Sequence, residues 1–278
     1  MKGSCGLKKK DDCLQCFQEI LAVNAPYGYF IDIHLTLFNS TDEGSAPVQL
    51  VDTLTGIIDV HSAEFAHYHF IADGGMIKLK TGHRDIRFRI LLYWNEFPSL
   101  TSDFIERSVP SVYKPDSTRF PVLVTANTRV SATIVVNPVN DQDSRGVLFF
   151  DGPNWNSTCL GTGYTLMNNM TQFVSTGNSM TIIAIGHFHS AYIVLQDYEN
   201  TKDIMEFQGL DCYMGKDCGD FELDGTNGPV VLQSYNPTDE YYKSEIMDVI
   251  TKIEGDGKLD VYIGGRTKNG TNKIASYA

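Results

Sequence analysis

The chain has 278 residues, 42% of them hydrophobic and 20% charged, with 22 Lys and Arg against 34 Asp and Glu and a formal net charge of −12. That length suits two domains of roughly 100–150 residues or three small ones, and the composition is globular, which excludes a disordered or fibrous chain. So acidic a surface repels phosphate backbones and anionic headgroups, which excludes nucleic acid and a polybasic membrane contact as expected partners.

The chain opens Met1-Lys-Gly-Ser-Cys5 and runs into Lys8-Lys9-Lys10 without the apolar stretch of a signal peptide. A leader is therefore expected to lie outside this chain. No run of about 18 apolar residues occurs, so a membrane is expected to be met only through an anchor that this chain lacks. Residues 1–24 form a segment containing Cys5, Cys13 and Cys16, with 13–23 read as a short helix or turn. Cys13-x-x-Cys16 has no second C-x-x-C to complete a zinc ribbon. The six cysteines (these three with Cys159, Cys212 and Cys218) suit disulfides and an oxidising compartment. Six allow about 15 pairings; Cys212 and Cys218 are near enough in sequence to close a small loop.

From Tyr29 the apolar set Tyr29, Ile31, Ile33, Leu35, Leu37 alternates with Asp32, His34 and Thr36, the period-two signature of a strand with one buried and one wet face. Ile86, Phe88, Ile90, Leu92 and Trp94 repeat the device, with Trp94 expected in the core and Arg87 and Arg89 outside. Further strands are predicted over 48–51, 122–125, 130–136, 146–150, 180–185, 191–195 and 259–263, separated by Gly- and Asp-rich turns. Helical periodicity is sparse, with 241–253 the other candidate. Many short strands between turns predict an all-β chain of tandem antiparallel sandwiches, with room for short helices.

A faint internal repeat accompanies this pattern. Val48-Gln-Leu-Val-Asp52 resembles Val147-Leu-Phe-Phe-Asp151, and each is followed by a Thr-Gly pair, Thr81-Gly82 and Thr176-Gly177. The predicted organisation is a first domain at 25–98, a Ser- and Pro-rich linker at 99–117, a second domain at 118–203 and a partial third at 204–278.

The second of these resembles the CUB-like domains that recur in tandem in secreted nematode proteins. The resemblance is carried by the strand 130–136, by Leu148-Phe-Phe-Asp151-Gly at the place of the "YDG"-type turn, by Ser175-Thr-Gly-Asn-Ser-Met-Thr-Ile182, and by Cys159-Leu-Gly-Thr-Gly-Tyr164. The first unit shows a weaker version, and the third matches at Leu259-Asp-Val-Tyr-Ile-Gly-Gly265. The resemblance implies CUB-like sandwiches of jelly-roll type, secretion or attachment to the cell surface, and a binding role at epithelial surfaces, in membrane rafts and in innate responses.

It also implies calcium as the one cofactor to consider, held by a Glu, the turn Asp and a later Asp. Asp52 matches the turn in the first unit, with Glu43 and Asp85 as partners. Asp151 matches in the second, with Asp141 or Asp143 upstream. Where the pattern supplies a later acidic loop, the second unit has Gly186-His-Phe-His189, a departure that would weaken calcium.

His67 and His69 flank Tyr68 and would share one strand face, near His61 in sequence; His187 and His189 make a second such pair. Two imidazoles at that spacing are half of a zinc site whose third ligand must come from elsewhere. No G-x-S-x-G elbow, H-E-x-x-H or P-loop occurs, and Gly161-Thr-Gly163 reads as a turn. No catalytic residue is therefore assigned. Sequons stand at Asn39, Asn156, Asn169 and Asn269, and Trp155 beside the second is a candidate ligand-binding residue. The expectation is a non-enzymatic extracellular or cell-surface protein that binds protein or glycan by loops at the sheet ends. The rival expectations are a secreted β-sandwich hydrolase acting on carbohydrate and a structural cell-coat glycoprotein.

Overall fold

A computed structural model describes residues 17–38, 46–52, 56–62, 66–71, 74–80, 87–98, 104–115, 121–136, 141–185, 191–210, 222–234, 252 and 254–277. Two compact units divide the chain, 1–97 and 98–278, and strands in mainly antiparallel sheets dominate both.

Among its described residues the first unit has seven strands: β1 (Phe17–Asn24), β2 (Tyr29–Phe38), β3 (Val48–Asp52), β4 (Gly56–Val60), β5 (Ala66–Phe70), β6 (Gly74–Lys80) and β7 (Arg87–Glu96). One sheet has the order β1-β6-β3-β4 and the other β5-β2-β7, all antiparallel. Ile31, Ile33, Leu35 and Leu37 of β2 and Tyr68 and Phe70 of β5 meet Val48, Leu50, Ile77 and Leu79 of the other sheet in one core. Burying each such side chain contributes about 1.5–3 kcal/mol. The alternation read from the sequence is therefore real on β2 from Ile31 to Leu35, whereas Thr36, expected on the wet face, is buried.

Two expectations are corrected here. The segment expected as a short helix or turn at 13–23 enters the described residues as strand β1, which runs along β6 from Lys80 to Gly74. A short apolar run suits helix or strand equally, and the backbone donors and acceptors along the edge of β6 select the strand. Trp94 is 46% exposed instead of core. It stands near the end of β7, the edge strand of its sheet, and its Nε1–H donates to Asn24 O at 3.0 Å. The indole thus closes the end of the sandwich. Phe88 is exposed as well, and Ile90 and Leu92 of the predicted apolar set pack on the core, while Ile86 lies outside the described residues.

The second unit adds β8 (Ile105–Ser108), β9 (Ser111–Tyr113), β10 (Val122–Thr125), β11 (Val130–Val136), β12 (Val147–Asp151), β13 (Thr158–Thr162), β14 (Phe173–Val174), β15 (Ser179–Ala184), β16 (Ala191–Asp197), β17 (Glu206–Leu210), β18 (Val230–Ser234), β19 (Leu259–Tyr262) and β20 (Lys273–Tyr277). Its sheets are β13-β12-β15-β10-β8 and β18-β17-β11-β16-β9, with β14 also on β11 and a separate β19–β20 pair. Val124, Val130, Ala132, Phe149, Met180, Ile182, Ile193 and Leu195 fill the core between the two large sheets.

The seven strands of the first unit recur in the same chain order as β10 to β16. Central β3 pairs with β4 and β6, as β12 does with β13 and β15. Strand β1 flanks β6 as β10 flanks β15, and β2 lies between β5 and β7 as β11 contacts β14 and β16. The repeat is thus a repeat of topology, and Asp52 and Asp151 close equivalent strands. The Thr-Gly pairs are not equivalent, because Thr176-Gly177 precedes β15 whereas Thr81-Gly82 follows β6.

The stretch 99–117, expected as linker, carries β8 and β9, which pair with β10 and β16. In the stretch expected as a partial third domain, β17 runs parallel to β11 and β18 parallel to β17. Around 199–203 the Lys202 and Lys268 ammonium groups lie 2.9 and 3.0 Å from Glu199 and hold its carboxyl below the usual carboxylate range. Gly161-Thr-Gly163 is not a turn. Gly161 and Thr162 end β13, and Thr162 caps the short helix α1 (Gly163–Asn168) by accepting the Thr165 N–H.

Candidate functional site

Because Ile31, Ile33 and Leu35 point into the core, Asp32 and His34 stand on the outer face of the β5-β2-β7 sheet. The antiparallel register places His69 opposite Asp32 and His67 opposite His34. On the other side Tyr93 of β7 lies opposite Asp32. Cross-strand neighbours of this kind are about 4.5–5.5 Å apart at Cβ, close enough for the side chains to converge.

They do converge. His34 Nε2 lies 2.9 Å from Asp32 Oδ2, and His67 Nδ1 and His69 Nε2 lie 3.5 and 3.7 Å from Asp32 Oδ1. The His34 and His67 rings are 4.0 Å apart, and Tyr93 stands 4.8 Å from His34. Phe30, itself 3% exposed, lies edge-on to His69, so this end of the patch is dry. The His67 side chain is 53% exposed, so the other end is open.

The sequence paired His67 with His69 and left the remaining partners unassigned; β2 supplies them as Asp32 and His34. The signal was present as a D-x-H on one polar strand face and an H-x-H on another, but only the register joins them. His61 lies just beyond β4, in the other sheet. His187 and His189 fall outside the described residues.

Asp52 and Asp151 perform one structural task in both units. Asp52 Oδ2 accepts the Ile71 N–H at 3.0 Å, and Asp151 Oδ1 accepts the Thr176 N–H at 2.7 Å. Val51 faces Met76 and Phe150 faces Thr181, so the two donors sit at equivalent places, each five residues before that partner. Each carboxylate thus ties the end of a central strand to the segment entering the next strand of its sheet. Asp52 is buried, and Asp52→Ala should destabilise its unit by about 1–3 kcal/mol, the cost of stranding a buried donor. Asp52→Asn keeps an acceptor oxygen and should lose less. Urea unfolding of the full chain checks both, and equal losses would show that the Ile71 bond is not what Asp52 contributes. Glu43 and Asp85 lie outside the described residues, as do the side chains of Asp141 and Asp143.

Downstream of Asp151 a tight loop presents Trp155. Gly152 N–H donates to Phe150 O at 3.0 Å, Ser157 N–H to Asn154 O at 3.1 Å and Asn156 N–H to Asn154 Oδ1 at 2.9 Å. Thr181 Oγ1 donates to Gly152 O at 2.8 Å. Trp155 is partly buried in this frame and Asn156 is exposed, as are Asn169 and Asn269. Asn39 lies outside the described residues, as do all cysteines except Cys159, which is partly buried on β13. The Cys212–Cys218 pairing therefore falls outside them too.

Two family models match the chain, both described only as domains of unknown function: DUF7592 over residues 104–185 and DUF7591 over residues 199–278. No curated protein matches. Among solved structures the chain is similar to the CUB1-EGF-CUB2 domain of human MASP-1/3, at 7% identity and a TM-score of 0.21, over 64% of this chain and 92% of that one. The strand content and sheet pairing make this an all-β protein of repeated sandwich units. No helix among the described residues is long and apolar enough to cross a membrane.

Proposed function

We propose that this chain is a non-enzymatic binding protein of the extracellular space or the cell surface, of the CUB-like kind its sequence resembles, and that it meets protein or glycan partners through the loop 151–157. The observation that carries the reading is how that loop is held. Its backbone is fixed by the four hydrogen bonds above and by the Asp151 tie to Thr176, while Trp155 keeps part of its surface in solvent. A loop ordered before binding loses little entropy on binding. A partly exposed indole offers a large apolar contact with one polar N–H, the side chain most enriched among interface hot spots. The exposed sequons at Asn156, Asn169 and Asn269 fit a secreted glycoprotein. A function at epithelial surfaces in innate defence would follow from the same family resemblance.

The test uses the full chain secreted from a eukaryotic cell, applied to a glycan array and to intact epithelial cells, with Trp155→Ala beside it. Saturable binding is expected, weakened at least roughly tenfold by the substitution, with little change in melting temperature. Saturable binding unchanged by Trp155→Ala would remove the loop from the reading. No binding to either surface would remove the reading itself.

A further inference from the structure

We propose that the outer face of the β5-β2-β7 sheet binds a first-row divalent metal ion of the zinc class, with Asp32, His34 and His67 as ligands. This does not rest on the proposed function, which concerns the second unit.

The donor set comes first. Neutral imidazole nitrogen with one carboxylate suits zinc, copper and nickel, whereas calcium takes oxygen ligands alone. Zinc holds nitrogen and oxygen at about 2.0–2.2 Å, so two ligand atoms sharing one tetrahedral ion stand roughly 3.3–3.5 Å apart. The separations on this face run through that value. Asp32 Oδ1 lies 3.5 Å from His67 Nδ1 and 3.7 Å from His69 Nε2, and Asp32 Oδ2 lies 2.9 Å from His34 Nε2. One ligand atom each from Asp32, His34 and His67 can be chosen so that all lie within 4.8 Å of one another. The exposed His67 has the rotamer freedom to shorten its own separations.

The second observation is the state of the carboxylate. Asp32 Oδ1 is buried and accepts no hydrogen bond, although two imidazole nitrogens face it. A buried carboxylate oxygen without a partner is costly. The 3.5 Å separation of His67 Nδ1 is long for a hydrogen bond to Oδ1 and right for a ligand that shares an ion with it.

The third is the frame. The three side chains stand on two adjacent strands whose inner faces are locked in the core, so the Cα positions are fixed before any ion arrives. Phe30 covers the His69 end and lowers the local dielectric, which strengthens attraction between a cation and the carboxylate. The His67 end is open and leaves the ion a position for water. Binding would displace the proton between His34 Nε2 and Asp32 Oδ2 and widen that contact by a few tenths of an ångström.

The test is a zinc chloride titration of the full chain, followed by long-range ¹H–¹⁵N spectra of the imidazole nitrogens and by competition with a chromogenic chelator. Variants His67→Gln, Asp32→Asn and the double variant His187→Gln/His189→Gln run beside the native chain. His67 is exposed, so its substitution should leave the fold intact, which amide spectra verify. Expected are shifts at His34 and His67 that saturate at one equivalent, and affinity lowered at least about tenfold by His67→Gln or Asp32→Asn. The double variant should retain this site, and calcium chloride should move none of these signals. Imidazole signals of His34 and His67 unmoved by zinc would overturn the proposal. So would zinc affinity equal in native and His67→Gln chains, or lost in the double variant.

Discussion

Gly209→Ala should lower the unfolding free energy of the second unit by about 2–3 kcal/mol, the cost of overpacking a closed site, and should loosen β17 and β18 before the rest. A Cβ built on Gly209 would stand 2.0 Å from Ile134 O and 2.9 Å from Val135 Cα, both backbone atoms of β11. No side chain can swing aside to make room. Either β17 moves outward or the β11 ladder bends, and β18 moves with β17 because β17 is its sheet partner. In a unit of this size the loss corresponds to a melting temperature lowered by roughly 4–12 °C. The local part is read by amide exchange. Protection should fall first across 206–210 and 230–234, where β17 and β18 join the sheet, and last at β12 and β15. Gly177→Ala is the control, because nothing lies within 4 Å of its added Cβ. It should be neutral or raise stability by about 0.4–1 kcal/mol through the unfolded chain. Equal effects of the two substitutions would show that β17 does not press on β11.

The parts of the fold legible in the sequence are those whose residues declare their own faces. Alternation on β2 and the apolar runs at β10 and β11 appear where expected, because each strand buries its side chains against a core whatever its partners are. The parts that were not legible depend on pairing. Strand β1 has exposed Ile20 and Leu21 and becomes a strand through β6. Strands β8 and β9 have four and three residues, too few to show a period, and are fixed by β10 and β16. Trp94 obeyed the alternation but stands where the core has ended.

The same division runs through the candidate sites. Asp52 and Asp151 were visible as a repeated strand-ending Asp, yet their partners are the backbone N–H groups of Ile71 and Thr176, which no residue type advertises. The H-x-H of β5 was visible, whereas its junction with Asp32 and His34 required the β2–β5 register. A site assembled across strands is a property of pairing, and pairing is the least local feature of a sheet.

Phe149→Ala should cost the second unit about 3–5 kcal/mol, the range for emptying a buried aromatic site, and lower its melting temperature by roughly 6–20 °C. Phe149 is fully buried at the centre of β12 and belongs to the main core of its unit. The size of the loss turns on whether a neighbour can collapse into the space. The obvious candidate is Phe173, whose ring lies 5.3 Å away at 64°, edge-to-face with Phe149. That ring already occupies the place beside Gly161, the residue paired with Phe149 across the β12–β13 ladder. A Cβ on Gly161 would stand 2.7 Å from Phe173 Cζ, in a backbone conformation, φ +139°, that side chains rarely adopt. Phe173 is thus held from β14 over a strand position that only glycine leaves open, and moving inward would uncover that position. Little relaxation is available, so the cavity should persist and the cost should fall in the upper part of the range. Phe149→Leu, which keeps most of the volume, should cost markedly less. Urea unfolding of both variants settles the matter. A loss under about 1 kcal/mol for Phe149→Ala would mean that the core closes over the gap, and that Phe173 and Gly161 do not hold it open.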